Sequence, residues 1–218
     1  GPTVVVLPFK NHATNTDKDY FVLGIAEELS VELTKFEELT IFESTPFANQ
    51  NISEAEKNEF IKNKGIRFII DGGVHWVDNK IKLLVKLTDT LKGEQIWADR
   101  YTVELTTENI IEVQERISSE VSCILGSEYG IILQRLSLES KRVKPTDIDT
   151  FDAILKFHYY EANQTPETAT IAFVALQEAL KRESYSGIAT AMLACMHCNQ
   201  YLLDVSDAEY SHEQLSIL

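Results

Sequence analysis

The sequence predicts an α+β protein: a five-stranded mixed sheet with packed helices, followed by an all-α helical-hairpin domain. Three strand-like segments follow one another closely in the first part, and helical spacing of apolar residues surrounds them. Beyond Pro145 the pattern is helical only. We therefore expect an α/β domain over 1–140 and a helical domain over 147–218. Because the helical pattern stops in mid-element at Leu218, we expect further helices beyond it.

The first domain begins with a strand and an amphipathic helix. The run "TVVVLPF" at 3–9 is rich in β-branched residues, which is typical of a buried strand. Polar residues at 11–19 predict a loop. Apolar residues then recur every three to four positions over 20–39, which predicts a helix with one buried face. A short strand at 40–42 follows.

Capping and turn residues mark the next elements. Ser53 is placed to cap a short helix, Glu56 completes a capping box three residues later, and Gly65 is placed to end the helix. Asp78-Asn79 and Lys92-Gly93 are suited to tight turns, because such turns need residues that tolerate positive φ. The strands that these turns separate are expected at 66–77, 80–90 and 94–104.

The segment around Trp97 could be taken for a functional site, but its pattern predicts a β-hairpin. Ile96 and Ala98 fall on one face of the third strand, and Trp97 and Asp99 fall on the other. We expect Trp97 to pack against a neighbouring strand. Asp99 and Arg100 are expected to be surface charges that keep the sheet soluble.

Helices fill the rest of the chain. Thr107 can cap a long amphipathic helix that we expect to run to about Leu136. Polar residues at 137–149 break the pattern, and we place the domain boundary there. Thr165 before Pro166 is a helix start, because proline fits the first helical position. The helices of the second domain are expected at 149–163, 165–182, 185–203 and 206–218.

These landmarks resemble the TolB-type amino-terminal domain, followed by tetratricopeptide-like helices. The residues that carry the TolB resemblance are Leu7-Pro8-Phe9, Asn11, Tyr20-Phe21, Gly24 to Leu29, and the hairpin from Gly93 to Tyr101. The helices resemble tetratricopeptide repeats, although no proline closes the second helix near Ser184. The resemblance implies a non-enzymatic module of bacterial regulators, either winged-helix transcription regulators or adenylate-cyclase-associated proteins.

Charge and hydropathy exclude two kinds of partner for this segment. The net charge is −14, and residues 147–218 hold 3 Lys or Arg against 11 Asp or Glu. Nucleic-acid binding depends on neutralising phosphates, so we expect no direct nucleic-acid contact. No apolar run approaches the roughly 20 residues of a membrane span, so we expect no membrane insertion.

Cys195 and Cys198 are the candidate metal ligands. Two thiols three residues apart lie on one helix face and could share a zinc ion. A complete site would need two more ligands, and His158 and His212 are available by type only. The alternative is that both cysteines pack as small apolar residues between helices.

A second candidate site is an interaction groove lined by His158, Tyr159, Tyr160 and Tyr185. These side chains are aromatic and partly polar, so they could contact a peptide or a small molecule. The alternative is helix–helix packing with a solvated hydroxyl group.

Asp71-Gly72-Gly73 could place backbone close to a phosphate group. A phosphate loop needs a strand, a glycine loop and a helix N-terminus in that order. Strand-like residues continue on both sides of these glycines. We therefore expect a β-bulge or a bend at this point.

Together these observations favour a regulatory or sensory interaction module of a bacterial signalling protein, most specifically a transcription regulator. We expect it to bind a protein partner, a small effector or a second copy of itself, without enzymatic activity or a cofactor. The alternatives are an envelope-associated scaffold and a metal-dependent enzyme of unrecognised type. A cytoplasmic location is favoured, and a periplasmic one stays open if a membrane span lies upstream.

Overall fold

The fold is taken from a computed structural model that describes residues 1–13, 19–44, 53–77, 80–106, 108–140 and 149–204, with side chains up to residue 200. The chain divides into two compact units, Gly1–Ile131 and Ile132–Leu218. The division falls earlier in the chain than the predicted end of the first domain. The predicted turn at Asp78-Asn79, the Thr107 cap and the helix over 206–218 lie outside the described residues.

A mixed sheet forms the first unit, as the sequence predicts. Its strand order is β3-β1-β4-β5-β6, and β2 pairs with β4 beside this path. The β1–β3, β1–β4 and β2–β4 pairs are parallel, and the other pairs are antiparallel. The strands are β1 (Thr3–Val6), β2 (Lys10–Asn11), β3 (Thr40–Phe42), β4 (Phe68–Val77), β5 (Lys80–Asp89) and β6 (Glu94–Glu104).

The expected number of strands, five, is wrong, because β2 is a sixth strand. The polar residues at 11–19 predict a loop, and a strand of two residues is too short to show an alternating pattern. The pairing depends on the partner strand: Lys10 lies opposite Gly73, and Asn11 lies opposite Val74. Strand formation here follows from tertiary contacts rather than from local propensity.

Two helices end earlier in the chain than the sequence predicts. The helix expected over 20–39 ends at Leu33, where the N–H of Thr34 bonds back only three residues, to Val31. The helix expected to reach Leu136 is interrupted, because Ser127 is extended and starts a turn. The helices are α1 (Asp19–Leu33), α2 (Glu54–Asn63), α3 (Ile110–Gly126), α4 (Ile131–Ser140), α5 (Thr150–Ala162), α6 (Pro166–Arg182) and α7 (Gly187–Asp204).

Local signals for capping and turns are confirmed. Ser53 and Glu56 form a reciprocal capping box at the start of α2. Thr165 caps α6, with Pro166 at the first helical position. Gly93 adopts φ +66° in the turn between β5 and β6, a conformation that glycine reaches without steric cost.

One face of the sheet is covered by helices α1 and α3. The buried side chains of β5 alternate along this face: Ile81, Leu83, Val85 and Leu87 are all at most 1% exposed. Where α3 packs on α1, polar side chains of α3 donate hydrogen bonds to backbone carbonyls of α1. Gln114 Nε2 donates to the Phe21 carbonyl at 3.0 Å, and Ser118 Oγ donates to the Ile25 carbonyl at 3.3 Å. We call this side of the sheet the helix-covered face.

The β5–β6 hairpin has the expected packing partner but not an uninterrupted register. Trp97 lies opposite Leu87, so its cross-strand position is confirmed. The register shifts between Leu87 and Thr88, which leaves Ile96 as an extra residue. Asp99 and Arg100 are exposed, as predicted.

An ion pair stabilises the end of β5. Asp89 is completely buried, and its Oδ2 lies 2.9 Å from Nη2 of Arg67. The other carboxylate oxygen, Oδ1, accepts a hydrogen bond from the Leu91 N–H at 3.0 Å. The side chain therefore joins the start of β4 to the turn that begins β6.

The described residues of the second unit form helices around a core of alternating small and large side chains. The interaction of α5, α6 and α7 buries Ala153, Ile154, Phe157, Tyr160, Ala172, Ala175, Leu176, Ala179, Ala189, Met192 and Met196. Alanines at these contacts let helix backbones approach closely. Among the described residues, no helix has the length and apolar character needed to cross a membrane.

A buried lysine of α5 binds the C-terminal residue of α4. Lys156 is 3% exposed, and its Nζ donates to the carbonyl and hydroxyl oxygens of Ser140 at 3.1 and 3.0 Å. A cation at the last residue of a helix satisfies an orphan carbonyl and favours the helix dipole. Burial lowers the pKa of Lys156, and the carboxylates of Asp152 and Asp149 oppose that shift.

We expect Asp89→Ala to lower the free energy of unfolding by about 3 kcal/mol, because it leaves the Arg67 guanidinium without its buried carboxylate. Asp89→Asn keeps an oxygen for the Leu91 N–H but removes the charge, so its loss should be smaller. Urea denaturation followed by far-UV circular dichroism measures both. Equal stability of Asp89→Ala and the unmodified protein would contradict this role.

Tyr101 gives a second prediction. Burial, Glu120 and Asp99 raise the pKa of its phenol to about 12. The folded state therefore keeps the phenol protonated at pH values above the ordinary tyrosine pKa of about 10. The contribution of the protonated phenol to the free energy of unfolding is fully present below about pH 10, and it is lost as the pH rises through about 12. Ultraviolet titration should show a late-ionising phenol, and Tyr101→Phe should remove it. Its persistence in Tyr101→Phe would contradict the assignment.

Candidate functional site

Strand β2 places two basic side chains over the sheet face opposite the helix-covered one. Its pairing with β4 continues past the strand, since the His12 N–H donates to the Val74 carbonyl at 3.0 Å. Side chains alternate along an extended chain. Lys10 and His12 therefore point to one side, and Asn11 points to the other.

The Asn11 side chain fixes this short strand. Its Oδ1 accepts hydrogen bonds from Trp76 Nε1 at 3.0 Å and from the Ala13 N–H at 2.9 Å. Its Nδ2 donates to the Asp19 carboxylate at 2.6 Å, at the start of α1. The Trp76 ring in turn packs edge-on against Phe21, with the ring centroids 5.7 Å apart. Asn11 thus ties β2 to both a strand and a helix.

Two histidines stack beside this anchor. The rings of His12 and His75 are parallel, with an interplanar angle of 1° and centroids 4.2 Å apart. Gly73 makes the arrangement possible, because a Cβ at that position would lie 2.8 Å from His12 Nε2. The glycine therefore provides the space in which the His12 ring rests against β4.

The stacked rings border a cavity of about 300 Å³. It lies over β4 and β5 and extends to α2, and it is wholly within the first unit. Apolar surface comes from the β1–β2 connection and from β5. We call it the β4 pocket; its lining residues are Leu7, Pro8, Lys10, His12, Lys57, Asp71, Gly72, Gly73, His75, Leu84 and Lys86.

Positive charge prevails in the β4 pocket. It has three lysines and one aspartate, whereas the whole chain carries a net charge of −14. The aspartate, Asp71, is paired with Lys86 at 3.1 Å, and Lys57 lies 3.9 Å from Glu54. Lys10 is exposed and has no ion pair with the described residues. The pocket can therefore offer cationic groups to an anion.

The bend expected at Asp71-Gly72-Gly73 is wrong. These residues continue β4, with Asp71, Gly72 and Gly73 opposite Lys86, Val85 and Leu84 in unbroken antiparallel register. A glycine inside a strand marks either a bulge or a place where another group comes close to the backbone. Here the glycines mark a place where neighbouring groups come close to the backbone of β4. The two glycines mark the floor of the β4 pocket, but no pattern in the sequence identifies β2 as the segment that lies against them.

The two candidate metal ligands lie on the surface of α7. Cys195 and Cys198 are both exposed, so the expectation that they pack between helices is wrong. Partial burial nevertheless raises the pKa of the Cys195 thiol, and Glu161 and Cys198 add to the shift. Within the described ranges, no three His, Cys, Asp or Glu side chains group closely enough to hold a metal ion.

The proposed groove residues occupy different environments. His158 and Tyr160 are buried, Tyr159 is half-buried, and Tyr185 is 99% exposed. His158 Nδ1 lies 3.3 Å from a Glu161 carboxylate oxygen, and its ring packs edge-on against Phe157. The four side chains thus do not share one surface, and their binding role stays a prediction.

Comparison with known proteins gives one partial sequence relative. No protein-family model matches the chain. Over 121 residues the chain is 28% identical to "Putative adenylate cyclase 3" of Rhizobium meliloti (strain 1021). The match covers 55% of this chain and 20% of that protein, so the chain spans about a fifth of the relative's length.

Solved structures similar to the chain include a TolB protein and a lipoprotein. TolB from Acinetobacter baumannii matches with TM-score 0.37 and 13% identity, over 56% of this chain and 28% of its own. Lipoprotein GNA1162 from Neisseria meningitidis matches with TM-score 0.40 and 11% identity, over 56% and 97%. The PelC dodecamer from Paraburkholderia phytofirmans matches with TM-score 0.41 and 14% identity, over 56% and 85%.

We expect Gly73→Ala to displace the His12 ring while leaving the sheet folded. The added methyl would meet that ring at 2.8 Å, and the ring is exposed and can move; the Lys10 carbonyl oxygen lies farther away, at 3.4 Å. The ring-proton chemical shifts of His12 and His75 in NMR spectra should change, because the stacked geometry is lost. Gly187→Ala is a matched control, since nothing lies near its added methyl. Unchanged histidine shifts in Gly73→Ala would contradict the arrangement.

Proposed function

We propose that this chain is a non-catalytic regulatory module of a larger bacterial signalling protein, and that it acts by binding a small ligand or a protein partner. The observation that carries the proposal is the β4 pocket, in which positive charge is concentrated on a strongly acidic chain. A cavity of about 300 Å³ is at the lower end of the range of ligand pockets.

The partial sequence relative supports the regulatory part of the proposal. A segment similar to this chain forms only a fifth of a protein named as an adenylate cyclase. Domains that fold separately and join through modest interfaces can change orientation when one of them binds a ligand. On this proposal, ligand binding biases the state of an attached output domain.

The kind of output domain attached to this segment is a separate part of the proposal. The most specific prediction from the sequence is a transcription regulator, and none of the proteins compared above is named as one. The name of the sequence relative favours a cyclase-type output. The resemblance to TolB-type modules supports the non-catalytic character of the segment itself. An envelope-associated scaffold is the second candidate, and it would place the chain outside the inner membrane.

The proposal is tested in the natural protein that contains this segment. Removing the segment should change the activity of the attached domain, or its response to cell extracts of small molecules, while the purified segment alone should not convert ATP into a cyclic nucleotide. The response should return when the segment is restored. Unchanged activity and response without the segment would contradict a regulatory role.

A reporter fusion distinguishes the two candidates by location. Alkaline phosphatase joined after residue 218 is active only when it is exported, whereas a cytoplasmic reporter behaves in the opposite way. A cytoplasmic result favours the signalling module, and export together with no effect on an output domain favours the scaffold.

A further inference from the structure

We propose that the β4 pocket binds a compact organic phosphate, through its lysines and stacked histidines for the phosphate and its apolar rim for the organic part. This inference rests on the proposed function, because it names the ligand class of the same binding module. It is carried by the charge, the available donors and the size of the pocket.

The charge of the pocket contrasts with that of the chain. Most of an acidic surface repels anions, so a cavity with three lysines and one aspartate is a local reversal of sign. Lys86 lies 3.1 Å from Asp71, the aspartate of the described lining, and so offsets a carboxylate that would oppose an anion. Lys10 then remains as the lysine of the lining without an ion pair to the described residues, whereas Lys57 lies 3.9 Å from the exposed Glu54.

Hydrogen-bond donors in the pocket are available for a ligand. Lys10, His12 and His75 have no side-chain hydrogen bond to the described part of the chain. Each imidazole ring carries an N–H donor. An anion beside both rings can accept a hydrogen bond from each of them. The stacked pair therefore adds donors to the cationic groups of the pocket.

Size and shape restrict the ligand. A volume of about 300 Å³ holds a small molecule but not a folded partner. Leu7, Pro8 and Leu84 give the cavity an apolar part next to its charged part. A phosphate ester on a small organic group matches this combination better than inorganic phosphate alone, which would leave the apolar surface without contacts.

The test is an NMR titration of the isotope-labelled chain at constant ionic strength, with ribose 5-phosphate, inorganic phosphate and ribose as probes. We expect saturable shifts at His12, Gly73 and His75 with ribose 5-phosphate, weaker binding of inorganic phosphate, and no shifts with ribose. Chloride at the same ionic strength should produce no saturable shifts.

Matched variants separate a built site from general charge attraction. Lys10→Gln removes one pocket cation and should weaken binding about tenfold, the equivalent of one charge-assisted hydrogen bond. Lys62→Gln removes the same charge from the exposed end of α2, outside the pocket, and should leave binding unchanged. Gly73→Ala changes no charge and should also weaken binding, because it displaces the His12 ring.

Three outcomes would overturn the inference: no saturable shifts with either phosphate, shifts centred away from the pocket, or equal weakening by Lys10→Gln and Lys62→Gln. Equal affinity for inorganic phosphate and ribose 5-phosphate would overturn the organic part. These failures leave the deletion experiment on the natural protein unaffected. A module that regulates its output but binds no phosphate would thus be recognised as such.

Discussion

The unbroken strand β4 is the constraint on which the first unit depends. Its edge on one side pairs with β1 and then with β2, and its other edge pairs along its whole length with β5. A strand shared by three partners must keep its register, because a slip by one residue would turn its buried side chains to solvent. The same continuity keeps Asp71, Gly73 and His75 in line on the sheet face toward which Lys10 and His12 point.

Much of this architecture follows from local sequence signals. The alternation in β5, the capping box at Ser53 and the glycine at 93 act over a few residues, so their consequences are visible in the sequence. Elements that depend on distant partners are not visible in this way. The two-residue strand β2 forms because it pairs with β4. The helix break after Gly126 is marked only by polar and glycine residues, which also occur within helices.

The candidate site was harder to foresee than the fold. Residue type alone points to the aromatic and thiol side chains of the helical region, because those groups can bind a ligand or a metal. The structure buries His158 and Tyr160 there and leaves Tyr185 in solvent. The β4 pocket instead combines ordinary lysines and histidines from β2, α2, β4 and β5. Only the strand pairing brings them together, and the strand glycines were the sole local indication of close approach.

The alternation around Asn11 separates folding from recognition within three consecutive residues. Asn11 is committed to Trp76, Ala13 and Asp19, whereas Lys10 and His12 on either side are exposed and make no side-chain hydrogen bonds with the described residues. Positions 10 and 12 can therefore change their chemistry without disturbing the anchor between them. Evolution could alter ligand preference at this edge of the sheet while the fold stays constant, and an engineer could do the same by substituting these two positions alone.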